Sequence, residues 1–215
     1  MTVLVTAGPT REPIDPVRFL SNRSSGKMGF AIAIAAAAAG HSVILVAGPV
    51  CLPTPDRVQR INVTTAAEML EAVRSALPSS DAAVFCAAVA DYRPAHPAAR
   101  KIKKSDEALT LTLVPTEDIL GSVRHTWNWH GILAGFAAET DNVLANARHK
   151  LAAKGCDLIV ANDVSLPDSG FESDHNSATF LFRDGSTQSL PRQRKEALAA
   201  AIVTALERLH QSPPP

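Results

Sequence analysis

The sequence predicts an α/β protein: a mostly parallel sheet with helices on both faces, elaborated by a β-flap. Three observations predict it. Apolar runs of strand length alternate with helix-like segments along the chain, the pattern of a parallel sheet covered by helices. The first run, Val3–Ala7, leads through Gly8 to Gly29 (GPTREPIDPVRFLSNRSSGKMG) straight into a helix-like stretch, Phe30–Ala39. A later run ends in Ala87-Ala88-Val89-Ala90, small residues that let a ligand approach the backbone at a strand end.

Taken in order, the strand-like runs are Thr2–Ala7, Ser42–Ala47, Arg60–Val63, Ala82–Val89, Ile132–Ala137 and Leu158–Ala161. Helix-like segments lie between and after them: Lys27–Ala39, Ala66–Leu77, Asp118–Trp127, Asn142–Lys154 and Arg192–His210. Gly40 and Gly155 sit where a C′ glycine closes a helix, and Thr64 or Thr65 before Glu68 is a capping start. Asp91–Asp106 is rich in Pro, Ala and Lys without apolar periodicity and reads as an excursion; Leu109–Leu113 then alternates like a half-exposed strand. Ala178–Phe182 and Thr187–Leu190 flank Asp184-Gly185 as a β-hairpin. The expected organisation is one domain over 1–211, with a flap at 91–114 and a disordered tail at 212–215. Strand, loop and helix at the start make the first turn of a Rossmann-like fold.

That first loop is the most informative segment. Prolines 9, 13 and 16 stiffen it, and it carries Arg11, Arg18, Arg23 and Asn22. Ser24, Ser25 and Gly26 place hydroxyls and N–H groups at a helix N-terminus, where anions are favoured. Two nucleotide fingerprints fail. Ser21 and Met28 break the Walker spacing around Gly26-Lys27, and Pro9 after Gly8 breaks the dinucleotide pattern. The loop is an anion-binding turn of another design.

Composition narrows the class. The 215 residues are 46% hydrophobic, and 21 basic residues balance 21 acidic ones, so bulk charge makes no case for nucleic acid or a membrane surface. No apolar run approaches a membrane span. Cys51, Cys86 and Cys156 are few and far apart, which reads as reduced thiols in a cytoplasmic protein.

Three further constellations carry polar chemistry. Asp91, after the Ala82–Val89 run, reads either as a contact to ribose, amide or metal or as a plain turn residue. Lys101-Ile102-Lys103-Lys104 reads either as solvated charge or as a basic flap closing over phosphates. Lys150 and Lys154, at i, i+4, share one helix face, with Leu144, Ala147 and Leu151 expected to be buried opposite; like charges so placed suit an anionic partner or a solvated face. Ala161-Asn162-Asp163 and Gly170–Asp174 are polar loops.

Together GPTREPIDPVRFLSNRSSGKMG, AAVADYRP, KIKK, GFAAET and AND…GF.SD.N resemble the bacterial phosphopantothenoylcysteine synthetases, from Val3 to about Leu181. The resemblance implies a ligase of coenzyme A biosynthesis joining 4′-phosphopantothenate to L-cysteine through an acyl-cytidylate, with CTP yielding CMP and pyrophosphate. It implies Mg2+ on the CTP phosphates, no confident protein metal ligand, and no flavin. It also implies a homodimer with active sites at its interface. Met1 directly precedes the first strand, so the flavin-dependent decarboxylase fused to many relatives is expected to be absent from this chain, which reads equally as a free-standing enzyme with a separate decarboxylase partner or as one half of a fusion.

Carried over by the resemblance, Asn22 and Lys101 are catalytic. Phe85, Cys86, Ala87, Asp91, Lys101, Glu117, Asp118, Ile119, Leu120, Phe136, Lys150 and Lys154 contact the nucleotide; Gly8, Arg18, Asn22 and Ala88 contact phosphopantothenate. Glu117 stands where the family commonly has proline. The rival classes are a nicotinamide-dependent reductase and a non-catalytic nucleotide sensor.

Overall fold

The computed structural model describes residues 1–139, 141–163 and 174–211. Its first strand, β1 (Thr2–Ala7), is followed by a ribbon of β2 (Arg11–Asp15) and β3 (Arg18–Ser21), then α1 (Lys27–Ala38). β4 (Ser42–Ala47), β5 (Val58–Asn62), α2 (Ala66–Ala76) and β6 (Ala82–Phe85) come next. A second small ribbon pairs β7 (Tyr92–Pro94) with β8 (Leu113–Pro115), ahead of α3 (Ile119–His125). The remainder is β9 (Ile132–Glu139), α4 (Val143–Lys154), β10 (Leu158–Asp163), β11 (His175–Phe182), β12 (Thr187–Arg194) and α5 (Lys195–Gln211).

Eight strands form the main sheet in the order β12-β11-β10-β9-β6-β1-β4-β5. From β10 through β5 all pairs are parallel, and β11 and β12 add an antiparallel edge. β1 is apolar along most of its length because both of its faces are covered. One face packs Val3, Val5, Val84 and Val160 under α1 and α5; the other packs Leu4, Leu133 and Ile159 under α2, α3 and α4. α1 is apolar almost all round because the sheet lies on one side and α5 on another. The α/β class is as predicted. Among the described residues no helix is long and apolar enough to cross a membrane.

Local boundaries differ for physical reasons. The presumed rigid loop after β1 is a hairpin, with Pro13 tolerated because β2 pairs on one side only. Its turn is closed by the buried Asp15, whose carboxylate accepts from the N–H groups of Val17 (2.8 Å) and Arg18 (2.9 Å). The Ala82–Val89 strand stops at Phe85, because Thr6 Oγ1 takes the Cys86 and Ala87 N–H groups, each at 3.2 Å. The third sheet strand runs Val58–Asn62 rather than Arg60–Val63. Leu109–Thr112 form no strand; only Leu113–Pro115 pair, and Leu109, Leu111 and Leu113 are exposed.

The hairpin strands extend beyond the expected ranges, and residues 192–194, expected in the last helix, pair with β11 instead: His175 faces Arg194 and Asn176 faces Gln193. Asp118 is the N-cap of α3 rather than its first residue, and the helix ends at His125. Leu144 is exposed; Val143 joins Ala147 and Leu151 against the core. Thr65, rather than Thr64, caps α2 by accepting from Glu68 N–H at 3.1 Å. The expectations for Thr140, for Gly170–Ser173 and for the tail Ser212–Pro215 lie outside the described residues.

Candidate functional site at the carboxyl edge of the sheet

From β1 the chain moves to β4 on one side, and after β5 it returns to β6 on the other. The carboxyl ends of β1 and β6 therefore diverge at the switch point, where open α/β sheets bind ligands. Past that point the two chains are cross-linked: Ala88 N–H donates to Gly8 O (2.9 Å) and Ala90 N–H to Thr10 Oγ1 (3.0 Å). A cleft of about 610 Å³ opens there.

Most predicted site residues meet in this cleft. Asn22, Phe85, Cys86, Ala87, Ala88 and Asp91 line it from the hairpin and the segment after β6, and Glu117, Asp118, Ile119, Leu120, Phe136, Lys150 and Lys154 complete it. Asn22 donates from Nδ2 to Ala88 O at 2.8 Å, which fixes the amide plane and leaves its second N–H for a ligand. Cys86 is a neutral thiol, because burial pushes its pKa up to about 12.

The segment with Glu117 in place of proline is held by hydrogen bonds. Thr116 N–H donates to Asp91 O at 2.9 Å, and Asp118 Oδ1 accepts from Gly121 N–H at 3.0 Å to cap α3. The other Asp118 oxygen accepts from Lys154 Nζ. Burial acts to raise the Asp118 pKa, but the bonds from Lys154 and Gly121 and the charges of Lys154 and Lys150 outweigh it and hold it below the usual carboxylate value. Lys154 is thus engaged, and Lys150 is the cation of the pair with no side-chain partner among the described residues.

Three predicted residues lie outside the cleft. Gly8, at φ +79°, underlies the turn into α1, where a Cβ on Gly26 would come within 3.4 Å of its Cα. Arg18 instead bridges Asp15 Oδ2 (2.9 Å) and Ile102 O (3.2 Å). Lys101 lies on a flap docked to the hairpin: Ile102 N–H donates to Asp15 Oδ2 at 3.1 Å, and Ala98 N–H to Ile14 O at 2.8 Å.

The cleft also contains residues that received no site assignment from the sequence. Ser24, Ser25, Gly26 and Lys27 line it at the start of α1, as the anion-site argument anticipated. Gly26 is the N-cap at φ 77° and, among the described residues, no side chain caps the helix, so its first N–H groups lie at the cleft without a capping side chain from those residues. Asn162, Asn176 and Lys195 are among the others. Asn162 and Asn176 were visible only as members of the AND…GF.SD.N motif, with no role attached; Lys195 reaches the site through folding that nothing in its local sequence signals.

A parallel sheet whose switch point opens onto an uncapped helix N-terminus and inward lysines defines the class of α/β domain that binds its ligand at the carboxyl edge of the sheet. The chain belongs to the DNA/pantothenate metabolism flavoprotein C-terminal domain family, whose model matches residues 1–209. It is 49% identical over 206 residues to the coenzyme A biosynthesis bifunctional protein CoaBC of Escherichia coli K12, covering 94% of this chain and 50% of that protein. The chain thus spans about half the length of the curated relatives it matches. The crystal structure of the C-terminal domain of a CoaBC superposes with a TM-score of 0.84 at 40% identity, covering 98% of this chain and 95% of that one. A Cab2 mutant in complex with phosphopantothenate-cysteine shares the fold at 18% identity, with a TM-score of 0.76 and coverage of 98% and 86%.

Proposed function

We propose that the chain is a CTP-dependent phosphopantothenate–cysteine ligase of coenzyme A biosynthesis. The observation that carries this reading is the meeting of Asn22, the N-terminus of α1 and Lys150 in one switch-point cleft, on a chain 40% identical to a CoaBC C-terminal domain. A carboxylate is a poor acylating agent, so it must first gain a leaving group. The phosphopantothenate carboxylate attacks the α-phosphorus of CTP, a C–O–P linkage forms, and pyrophosphate departs. Cysteine's neutral amine then attacks the acyl carbon; the C–N bond forms, the C–O bond breaks, CMP leaves with the bonding pair, and the nitrogen releases one proton to solvent.

In this scheme Asn22, held by Ala88 O, directs its second N–H at the acyl oxygen as charge builds there. Phe85–Ala87, Asp91, Phe136 and residues 117–120 enclose the nucleoside, and Lys150 meets the triphosphate. Gly8, Arg18 and Ala88 shape the phosphopantothenate half. Magnesium suits the oxygen donors here: Asp91 and Glu117 line the cleft and Asp118 is already engaged by Lys154, so one or two carboxylates would supplement phosphate oxygens and the ion would neutralise the triphosphate.

Lys101 serves the acyl phosphate. Its own chain docks it on the hairpin and outside the cleft, which favours delivery to a second subunit's site in a homodimer. The exposed Leu109, Leu111 and Leu113 beside the β7–β8 ribbon supply the apolar surface for that pairing. The reading takes 1–211 as one domain with its flap at 91–114, working in the cytoplasm beside a flavin-dependent decarboxylase that consumes its product.

The test is incubation with CTP, magnesium, 4′-phosphopantothenate and cysteine. Pyrophosphate release that requires phosphopantothenate supports the ligase. CTP binding without release favours the sensor, and oxidation of a reduced nicotinamide cofactor supplied in a parallel incubation favours the reductase.

Lys150→Ala is expected to raise KM for CTP about tenfold or more, since a charge-assisted contact contributes roughly 1.5–3 kcal/mol. The penalty should shrink as salt screens the remaining attraction. An unchanged KM would return this helix face to solvent.

A further inference from the structure

The tip of the β2–β3 ribbon holds a carboxylate that its turn alone does not need. Pro16 and Val17 make the turn, and Asp15 Oδ1 closes it by accepting from the N–H groups of Val17 (2.8 Å) and Arg18 (2.9 Å). An asparagine carbonyl closes such a turn equally well and carries no charge. Asp15 instead sets an ionised group where its side chain is fully buried, and a buried charge is costly unless it is paired and hydrogen-bonded.

The second oxygen supplies the reason for the charge. Oδ2 accepts from Arg18 Nη1 at 2.9 Å and from the Ile102 N–H at 3.1 Å, while Arg18 Nη1 also donates to Ile102 O at 3.2 Å. The ion pair thus grips both main-chain polar groups of Ile102, the residue after Lys101. On the other side of Lys101, Ala98 N–H donates to Ile14 O at 2.8 Å. The lysine therefore sits on a short span tied at both ends to the tip of one ribbon.

That ribbon is itself anchored to the body of the fold. The buried Glu12 accepts through Oε1 from the Ala66 N–H at the start of α2 (2.8 Å), where the helix dipole favours a carboxylate, and Arg11 N–H donates to Thr64 O at 2.8 Å. We propose that Asp15 is a positioning residue for Lys101: its second oxygen, together with Arg18, fixes the flap so that the lysine ammonium is presented to the acyl phosphate from one place. The assignment rests on the ligase reading, in which Lys101 serves that phosphate. It holds whether the lysine reaches its own chain's cleft or a second subunit's, because the joint lies within one chain. Exact placement matters for rate, since a shift of about 1 Å in a reacting group can cost roughly 100-fold.

The test uses Asp15→Asn and Asp15→Ser. The asparagine keeps a carbonyl for the turn but sets an amide donor against the Ile102 N–H and Arg18; the serine keeps one oxygen for the turn and none for the flap. Each should lower kcat for ligation about 10- to 100-fold and leave KM for CTP unmoved. In a Lys101→Ala background the same substitutions should cost almost nothing more, because no ammonium remains to be placed. Tryptic cleavage at the exposed Arg100, Lys101, Lys103 and Lys104 should quicken about tenfold as the joint opens, with thermal midpoints close to that of the parent protein. Unchanged kcat, losses that multiply in the Lys101→Ala background, or unchanged cleavage would overturn the assignment. Collapse of the fold in both variants would overturn it too, by showing that the carboxylate serves stability rather than the flap. Absence of phosphopantothenate-dependent pyrophosphate release in the parent protein would instead overturn the ligase reading, with the change in cleavage still reporting on the joint.

Discussion

Asn22→Asp is expected to cut ligation by roughly 10²- to 10³-fold, the usual loss when one donor to a developing oxyanion is removed. Two effects act together. The new carboxylate cannot donate to Ala88 O, so the bond that fixes the side chain becomes a repulsion. It also places a second negative charge beside the substrate's own carboxylate, where like charges at contact distance repel. Because Asn22 is exposed, the fold should survive, and an unchanged unfolding midpoint is part of the expected result. Near-normal turnover in a folded variant would remove Asn22 from the mechanism. The same variant tests the dimer. Mixed with Lys101→Ala, it should recover activity if the flap acts across subunits, because each heterodimer then holds one intact site. Subunit exchange without recovery would show that the flap serves its own chain.

Gly48→Ala should be the most damaging small substitution for stability. A Cβ there would stand 1.8 Å from Pro9 O and 2.9 Å from Pro9 C, so backbone must move rather than a flexible side-chain end. Overpacking of this kind costs about 3 kcal/mol or more, a fall in Tm of roughly 6–12 °C for a chain of this size. Gly40→Ala is the control. Its φ of +86° strains any other residue, but nothing lies within 4 Å, so only the conformational cost of about 1–2 kcal/mol applies. Equal losses in the two variants would mean that the Pro9 turn yields easily. A larger loss for Gly48, with KM for phosphopantothenate raised as well, would show that this contact sets the shape of the hairpin beside the cleft.

The sheet interior was legible because burial on both faces leaves a plain signature. β1 and β4 begin and end where their apolar runs do. Boundaries failed where a single bond or a distant partner decided them. Nothing in Phe85-Cys86-Ala87-Ala88 announces a strand end, since the Thr6 hydroxyl makes it from 80 positions away. Arg192–Arg194 read as helix because the stretch leads into Lys195-Glu196-Ala197-Leu198, yet the ladder with β11 claims them. Pro13, read only as stiffening a loop, sits in a strand that an unpaired edge permits. The same division governs the site. Residues around the first strand-to-helix turn were visible, because one local segment carries both scaffold and chemistry. Lys195 was not, and Asn176 only as the last residue of a motif without a role, because each gains meaning only when β11 and α5 fold back onto the edge of the cleft.

The packing of α5 on α1 bears on how the protein can be synthesised. α1 ends at Ala38 and α5 begins at Lys195, so translation releases α1 well before the helix that covers its outer flank. At ribosomal rates of about 5–20 residues per second, that flank waits about 8–30 s for its cover. The sequence of α1 suits such a wait: beyond Phe30 and its two isoleucines it is nearly all alanine, which forms helix readily and offers little surface for other chains to grip. The helix whose N-terminus faces the cleft is thus also the one that must remain harmless longest on the ribosome.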